Sequence, residues 1–237
     1  MRIRLYRDAE KLKMRIISLG ALVEERFRIA CKAIDSRDAQ LARKVIDGDI
    51  DIDRLEVDIE EDCLKILALH QPVADQLRYI VAILKMNNDL ERIGDLAVNI
   101  AERAESVIRR CNLTVPFDYS TMFRKTEEML VRSLDSLVNM DLLLAYEVLS
   151  RDDEVDSMKS SIQAQFALEI GKSQGDTESM INLFLVSRHL ERIADHATNI
   201  AEDVIYMITG EIHRHRGGKV IRGSETWFSS KDKDQAS

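Results

Sequence analysis

The sequence predicts an all-α protein, and three observations carry that expectation. Aromatic residues make up only 5% of the 237 residues, with 2 prolines and 9 glycines, a balance that favours long helices over strands and tight turns. Apolar residues recur at three- and four-residue steps along most of the chain, the spacing of one buried helix face. The chain also repeats itself: LERIGDLAVNIAE at 90–102 returns as LERIADHATNIAE at 190–202, with ten of the thirteen positions identical. Exposed helix positions ordinarily tolerate polar exchange with little loss of stability, so a polar row kept in both copies marks a feature that matters twice.

Leu12, Ile16, Leu19, Leu22, Val23, Phe27, Ala30 and Ile34 form the stripe of a first helix that ends near Ser36 and Arg37. Asp38 reads as an N-cap, and Leu41, Val45, Ile52, Leu55, Ile59, Cys63 and Ile66 line a second helix as far as Leu69. Gly48 lowers helix propensity inside that element without ending it. Pro72 forces Gln71 to be extended and suits the first turn of a third helix, which runs from Val73 to Arg110. A stretch at 112–119 containing Pro116 separates the two halves. Met122, Met129, Leu130, Leu134 and Leu137 mark a fourth helix. Asp141 caps a fifth, which fades around Gly171 and Gly175, and Asp176 or Thr177 caps a sixth that reaches Thr209 and Gly210.

A second correspondence joins the halves at an offset of 103 residues: Asp38, Leu41, Ala42, Val45, Asp49 and Asp53 match Asp141, Leu144, Ala145, Val148, Asp152 and Asp156. Offsets of 100 and 103 in one chain imply an internal duplication, so the six long helices are expected to form two tandem three-helix bundles at 1–112 and 113–210. Each is long enough for a modest core of its own. Residues 211–237 read as a basic, mobile tail.

That tail carries six Lys or Arg against four Asp or Glu, so the formal charge of −8 leaves the first 210 residues at −10. An acidic body argues against nucleic-acid binding, which needs a basic face, and suits cations. The cysteines, at 31, 63 and 111, fit neither a disulfide framework nor a zinc-ligand spacing and read as buried thiols of a reducing cytoplasm. No apolar run approaches the roughly 20 residues of a membrane span, and the first residues lack the apolar centre of a secretory signal. The expected location is cytoplasmic.

At about 100° per residue, Asp95, Asn99 and Glu102 fall within about 80° of Glu91 and make one row at the edge of the core stripe. Carboxylates four apart repel. Glu91 has no Lys or Arg three or four residues away, and Arg92 reaches only Asp95. Multivalent cations relieve such repulsion, and carboxylate oxygens suit magnesium, manganese, ferric iron or calcium. The preceding helix supplies a facing pair in each half, Asp49 with Asp53 and Asp152 with Asp156, so four acidic side chains per half can hold ions between two helices.

These doubled acidic motifs on a duplicated three-helix unit resemble the PhoU family, accessory proteins of bacterial phosphate uptake and phosphate signalling. The resemblance covers about residues 8–216, including VIYMITGE at 204–211. It implies six helices, dimers and metal clusters, with Asp49, Asp53, Glu91 and Asp95 serving one cluster and Asp152, Asp156, Glu191 and Asp195 the other. The ions implied are iron, manganese, magnesium or zinc. It also implies a regulator rather than an enzyme, one that works with the ATPase of a phosphate ABC transporter and a phosphate-sensing histidine kinase to restrain uptake and the phosphate regulon. Membrane contact comes only through those partners. One departure stands out: Glu56 and Glu60 of the first half become Lys159 and Gln163 in the second, so the two clusters are expected to differ.

A di-iron enzyme is set aside because Glu-x-x-His is missing: Gly94 and Ala194 stand where the histidines belong. The enzymatic alternative is a magnesium-dependent, all-α prenyl synthase-like protein using the Asp-Asp-x-x-Asp motif at Asp152, Asp153 and Asp156, a pattern that the first half lacks. His189 and His196 fall on a face away from the acidic row and read as solvated. The basic run at 213–216 and the pair Trp227 and Phe228 receive no assigned role.

Overall fold

The computed structural model describes residues 2–109, 118–170, 177–211, 215–216 and 219–220. It is all-α, with eight helical segments among the described residues, arranged as six long rods: α1 (Arg2–Ser36), α2 (Ala39–Asp47), α3 (Asp49–His70), α4 (Asp75–Ile108), α5 (Tyr119–Asn139), α6 (Leu142–Leu149), α7 (Asp152–Ile170) and α8 (Thr177–Thr209). Segments α2 and α3 form one broken rod, as do α6 and α7. No described helix is long and apolar enough to cross a membrane. Of the tail, His215–Arg216 pairs antiparallel with Lys219–Val220. Cys111, Pro116, Gly171, Gly175, Asp176, Trp227 and Phe228 lie outside the described residues.

The duplication is visible at the level of single turns. α1 ends on Arg37 and α5 on Met140, both left-handed at φ 53° and 51°. Such a turn closes the last carbonyls of a helix without a glycine at a cost of roughly 1 kcal/mol or more. In each case an aspartate follows. Asp38 accepts from the N–H groups of Gln40 and Leu41, and Asp141 from those of Leu143 and Leu144, as N-cap chemistry requires.

The rod expected to run through Gly48 breaks there instead. Gly48 turns with φ −91° and ψ 0°, and the backbone bonds tighten to three-residue spacing, Gly48 N–H to Val45 O at 3.2 Å and Asp51 N–H to Gly48 O at 3.3 Å. Glycine propensity is not the cause. The second half breaks at the same place without a glycine, with Arg151 N–H donating to Val148 O at 3.0 Å and Glu154 N–H to Arg151 O at 3.1 Å. Gln71 also departs from expectation: it is left-handed (φ 45°, ψ 57°) rather than extended, its N–H capping Leu67 O. Pro72 excludes the right-handed helix for its predecessor, and the left-handed turn satisfies that restriction too. Pro72 then lies before α4, which starts at Asp75.

Packing joins the halves more closely than two separate cores would. The buried apolar residues form one cluster running from Leu5 to Met207. Its spine is α4 against α8, whose antiparallel course is fixed by Lys85 with Asp203, Asp89 with His196 and Arg103 with Asn182. On α1, Leu12, Ile16, Leu19, Val23, Phe27 and Ala30 are wholly buried. Each large side chain so covered is worth roughly 1.5–3 kcal/mol over its exposed form. Cys31 and Cys63 are buried free thiols.

Candidate metal centre

The break in each long rod starts a new helix on an aspartate. Asp49 opens α3 with Asp53 one turn on; Asp152 opens α7 with Asp156 one turn on. Across from them, Glu91 and Asp95 occupy successive turns of α4, and Glu191 and Asp195 those of α8. α3 lies against α4 and α7 against α8.

In the first half the four carboxylates share one field. Burial raises the Asp49 carboxyl above its ordinary range, Asp53 and Asp95 raise it further, and Arg26 opposes them. Burial likewise raises Glu91, followed by Asp95, with Arg92 opposing and Glu56 and Asp53 adding to the rise. Arg92 therefore reaches more than Asp95: its Nε stands 3.6 Å from Glu91 as well as its Nη1 3.9 Å from Asp95. Neighbours in sequence on a helix do not face each other, but the long arginine stem bends back far enough to meet Glu91. Asp49 Oδ1 is buried with no hydrogen-bond partner among the described residues. A buried acceptor left in that state is costly.

The second half brings its carboxylates together in the same way but compensates them from within. Asp195 is pushed up to about 6 by burial first, then by Glu191, Asp152 and Asp156, with His196 opposing. The residue itself is exposed, so the like-charge crowding is the part of that shift a cation would relieve. Lys159 Nζ donates to Glu191 Oε1 at 3.1 Å, with only 28% and 20% of the two side chains exposed. Position 159 corresponds to Glu56, which in the first half adds negative charge. The repeat alignment signalled this asymmetry; the ion pair itself is a tertiary contact. Asp153 is exposed and is not among the groups acting on Asp195, so only Asp152 and Asp156 of the Asp-Asp-x-x-Asp motif face the cluster.

The donor set is all carboxylate oxygen, the chemistry of a hard cation, and the orphaned Asp49 oxygen fits such a ligand. Among the described residues no three Asp, Glu, His or Cys side chains already converge on one point. An ion would therefore have to draw the side chains inward.

His189 and His196 are not solvated, because α8 lays this face against α4. His196 Nδ1 meets Asp89 Oδ1 at 2.7 Å, and Asn199 Nδ2 donates to the same oxygen at 3.1 Å. His189 is half-buried with neither ring nitrogen partnered; burial, then Arg103, Arg192 and Arg188, push it down to about 4. A helical wheel drawn for one helix could not locate this seam.

The PhoU domain family matches residues 16–104 and 119–204, once in each half. A "Phosphate-specific transport system accessory protein PhoU homolog" of Aquifex aeolicus is 38% identical over 214 residues, spanning 90% of this chain and 97% of that protein. The accessory protein PhoU of Escherichia coli K12 is 30% identical over 228 residues, 96% of this chain and 93% of its own. Among solved structures, PhoU from Pseudomonas aeruginosa superposes with a TM-score of 0.83 at 33% identity, covering 86% of this chain and 99% of that one. The phosphate transport system regulatory protein PhoU from Streptococcus pneumoniae gives 0.82 at 26% identity, covering 89% and 100%.

Proposed function

Since the chain belongs to the PhoU family, we propose that it serves as an accessory protein of a phosphate-specific transport system, restraining phosphate uptake and the phosphate regulon. Its partners on this reading are the transporter's ATPase and a phosphate-sensing histidine kinase. It works in the cytoplasm as a homodimer and meets the membrane only through those partners. The observation that supports the reading is similarity running through both halves and 97% of the length of a relative named as a phosphate-specific transport system accessory protein homolog.

In the same proposal, Asp49, Asp53, Glu91 and Asp95 hold metal ions between α3 and α4, and Asp152, Asp156, Glu191 and Asp195 hold them between α7 and α8. Iron, manganese, magnesium or zinc would supply the positive charge that ties each pair of helices together. The crowding of the carboxylates and the unpartnered Asp49 oxygen support this assignment.

Two experiments test the parts separately. Deleting the gene should raise phosphate-regulon expression in phosphate-rich medium; unaltered repression contradicts the regulatory role. Elemental analysis of the purified protein beside Glu91→Ala/Glu191→Ala should show metal lost from the variant, and negligible metal in both would sink the cluster reading.

A further inference from the structure

The seam between α4 and α8 has two ends that the duplication makes equivalent. At an offset of 100 residues Asp89 corresponds to His189, and Arg103 to Asp203. One end is charge-matched from within the chain. There Asp89 accepts from Asn199 and pairs with His196, and Asp203 accepts from Lys85 at 2.8 Å. At the other end His189 and Arg103 stand where the two acids would be, and among the described residues no carboxylate pairs with either.

That second end gathers Arg103 from α4 with Arg188, His189 and Arg192 from α8. Three guanidiniums act on His189, and no carboxylate is among the groups acting on it. Arg103 Nη1 donates to Asn182 Oδ1 at 3.2 Å, yet its Nε and both nitrogens of His189 are buried without a partner. Arg188 and Arg192 are exposed, and neither belongs to any ion pair among the described residues. In a chain of net charge −8 this is a focus of positive charge without a carboxylate partner among the described residues, with unsatisfied donors at its centre. Guanidinium forks match the oxygens of tetrahedral anions, and buried donors without acceptors favour a ligand that supplies them.

We propose that the Arg103 and His189 end of the seam binds a small oxyanion of the phosphate or sulfate type, in the position that Asp89 and Asp203 fill at the opposite end. The imidazole N–H of His189 and Nε of Arg103 donate to the anion, and Arg188 and Arg192 close over it from solvent. The site does not depend on the carboxylate clusters or on metal.

Equilibrium dialysis of the full chain with labelled inorganic phosphate tests this, in buffer containing a chelator and with ionic strength held by sodium chloride. One phosphate per chain should bind saturably. Arg188→Gln/Arg192→Gln, two exposed changes checked for unaltered circular dichroism, should weaken binding about tenfold or more, the effect of losing one charge-assisted bond. Glu91→Ala/Glu191→Ala should bind within about twofold of the parent, well under the tenfold step that 1.4 kcal/mol represents. Competition by glycerol phosphate extends the site to phosphate monoesters, and its failure confines the site to the free anion. No saturable binding up to about 10 mM phosphate, a concentration about tenfold above a millimolar dissociation constant, overturns the proposal. So does full binding by the double arginine variant, or its loss in the glutamate variant.

Discussion

Gly94→Ala probes the contact that sets the distance between α3 and α4, and with it the spacing of the first carboxylate cluster. A Cβ at Gly94 would lie 3.0 Å from Ile52 Cδ1 and 3.2 Å from its Cγ2, inside the optimal carbon separation of about 3.5–4.0 Å. Alanine gains about 1 kcal/mol of helix propensity over glycine, while forcing a methyl into a packed core costs about 1–3 kcal/mol. Ile52 is 1% exposed and β-branched, so it has little room to turn away; we expect a net loss of about 1 kcal/mol. The second half holds the complementary solution at the corresponding positions: Val155 and Ala194, both buried, move one carbon from one helix to the other. Ile52→Val alone should cost about 0.5–1.5 kcal/mol, yet in the Gly94→Ala background it should restore stability close to the parent. The coupling, read by urea denaturation of the four proteins at constant m-value, should be about 2 kcal/mol in favour of the double variant. Additivity within about 0.5 kcal/mol would refute the idea that this contact governs the helix spacing.

Three further outcomes follow from the same structure. Lys159→Ala leaves Glu191 without its ammonium partner, so the second cluster should bind divalent cations about tenfold more tightly; titrating it in a Glu91→Ala background isolates that site, and unchanged affinity contradicts the competition. Asp203 is pushed up to about 6 by burial, against the pull of Lys85, so the folded chain holds this proton more tightly than the unfolded one. Stability therefore rises as pH falls from above 6 toward 4, and Asp203→Asn should flatten that slope in denaturation curves; an equal slope counts against the assignment. Phe27 is wholly buried in α1, so Phe27→Ala should cost about 3–5 kcal/mol, and a midpoint shift worth under 1 kcal/mol would show that the core collapses around the gap.

Much of the fold could be read without coordinates because its rules are local. Three- and four-residue spacing found the buried stripes, and Asp38 and Asp141 each bond the N–H groups two and three residues on, as a cap must. Apolar spacing puts the ends of the helix that holds Glu91 and Asp95 within a few residues of where they fall, and the correspondence between the halves singles out Lys159 as the odd member of the second cluster. Other features depended on what lies across from a residue. The break at Gly48 recurs at Arg151 without a glycine, so propensity could not identify its cause. Lys159 reaches Glu191 across two helices, and His189 and His196 are taken from solvent only because α8 lies antiparallel on α4.

Sequence by itself determined the helical class, the duplication and the identity of the acidic residues, since periodicity, capping and repetition act between residues close in the chain or copied within it. The tertiary structure decided which of those charges are matched. It set an ammonium among the carboxylates of the second half, left an Asp49 oxygen without a partner in the first, and gathered three arginines around His189. Those outcomes follow from burial and from fields acting between helices, and neither is a property of any stretch of sequence taken alone.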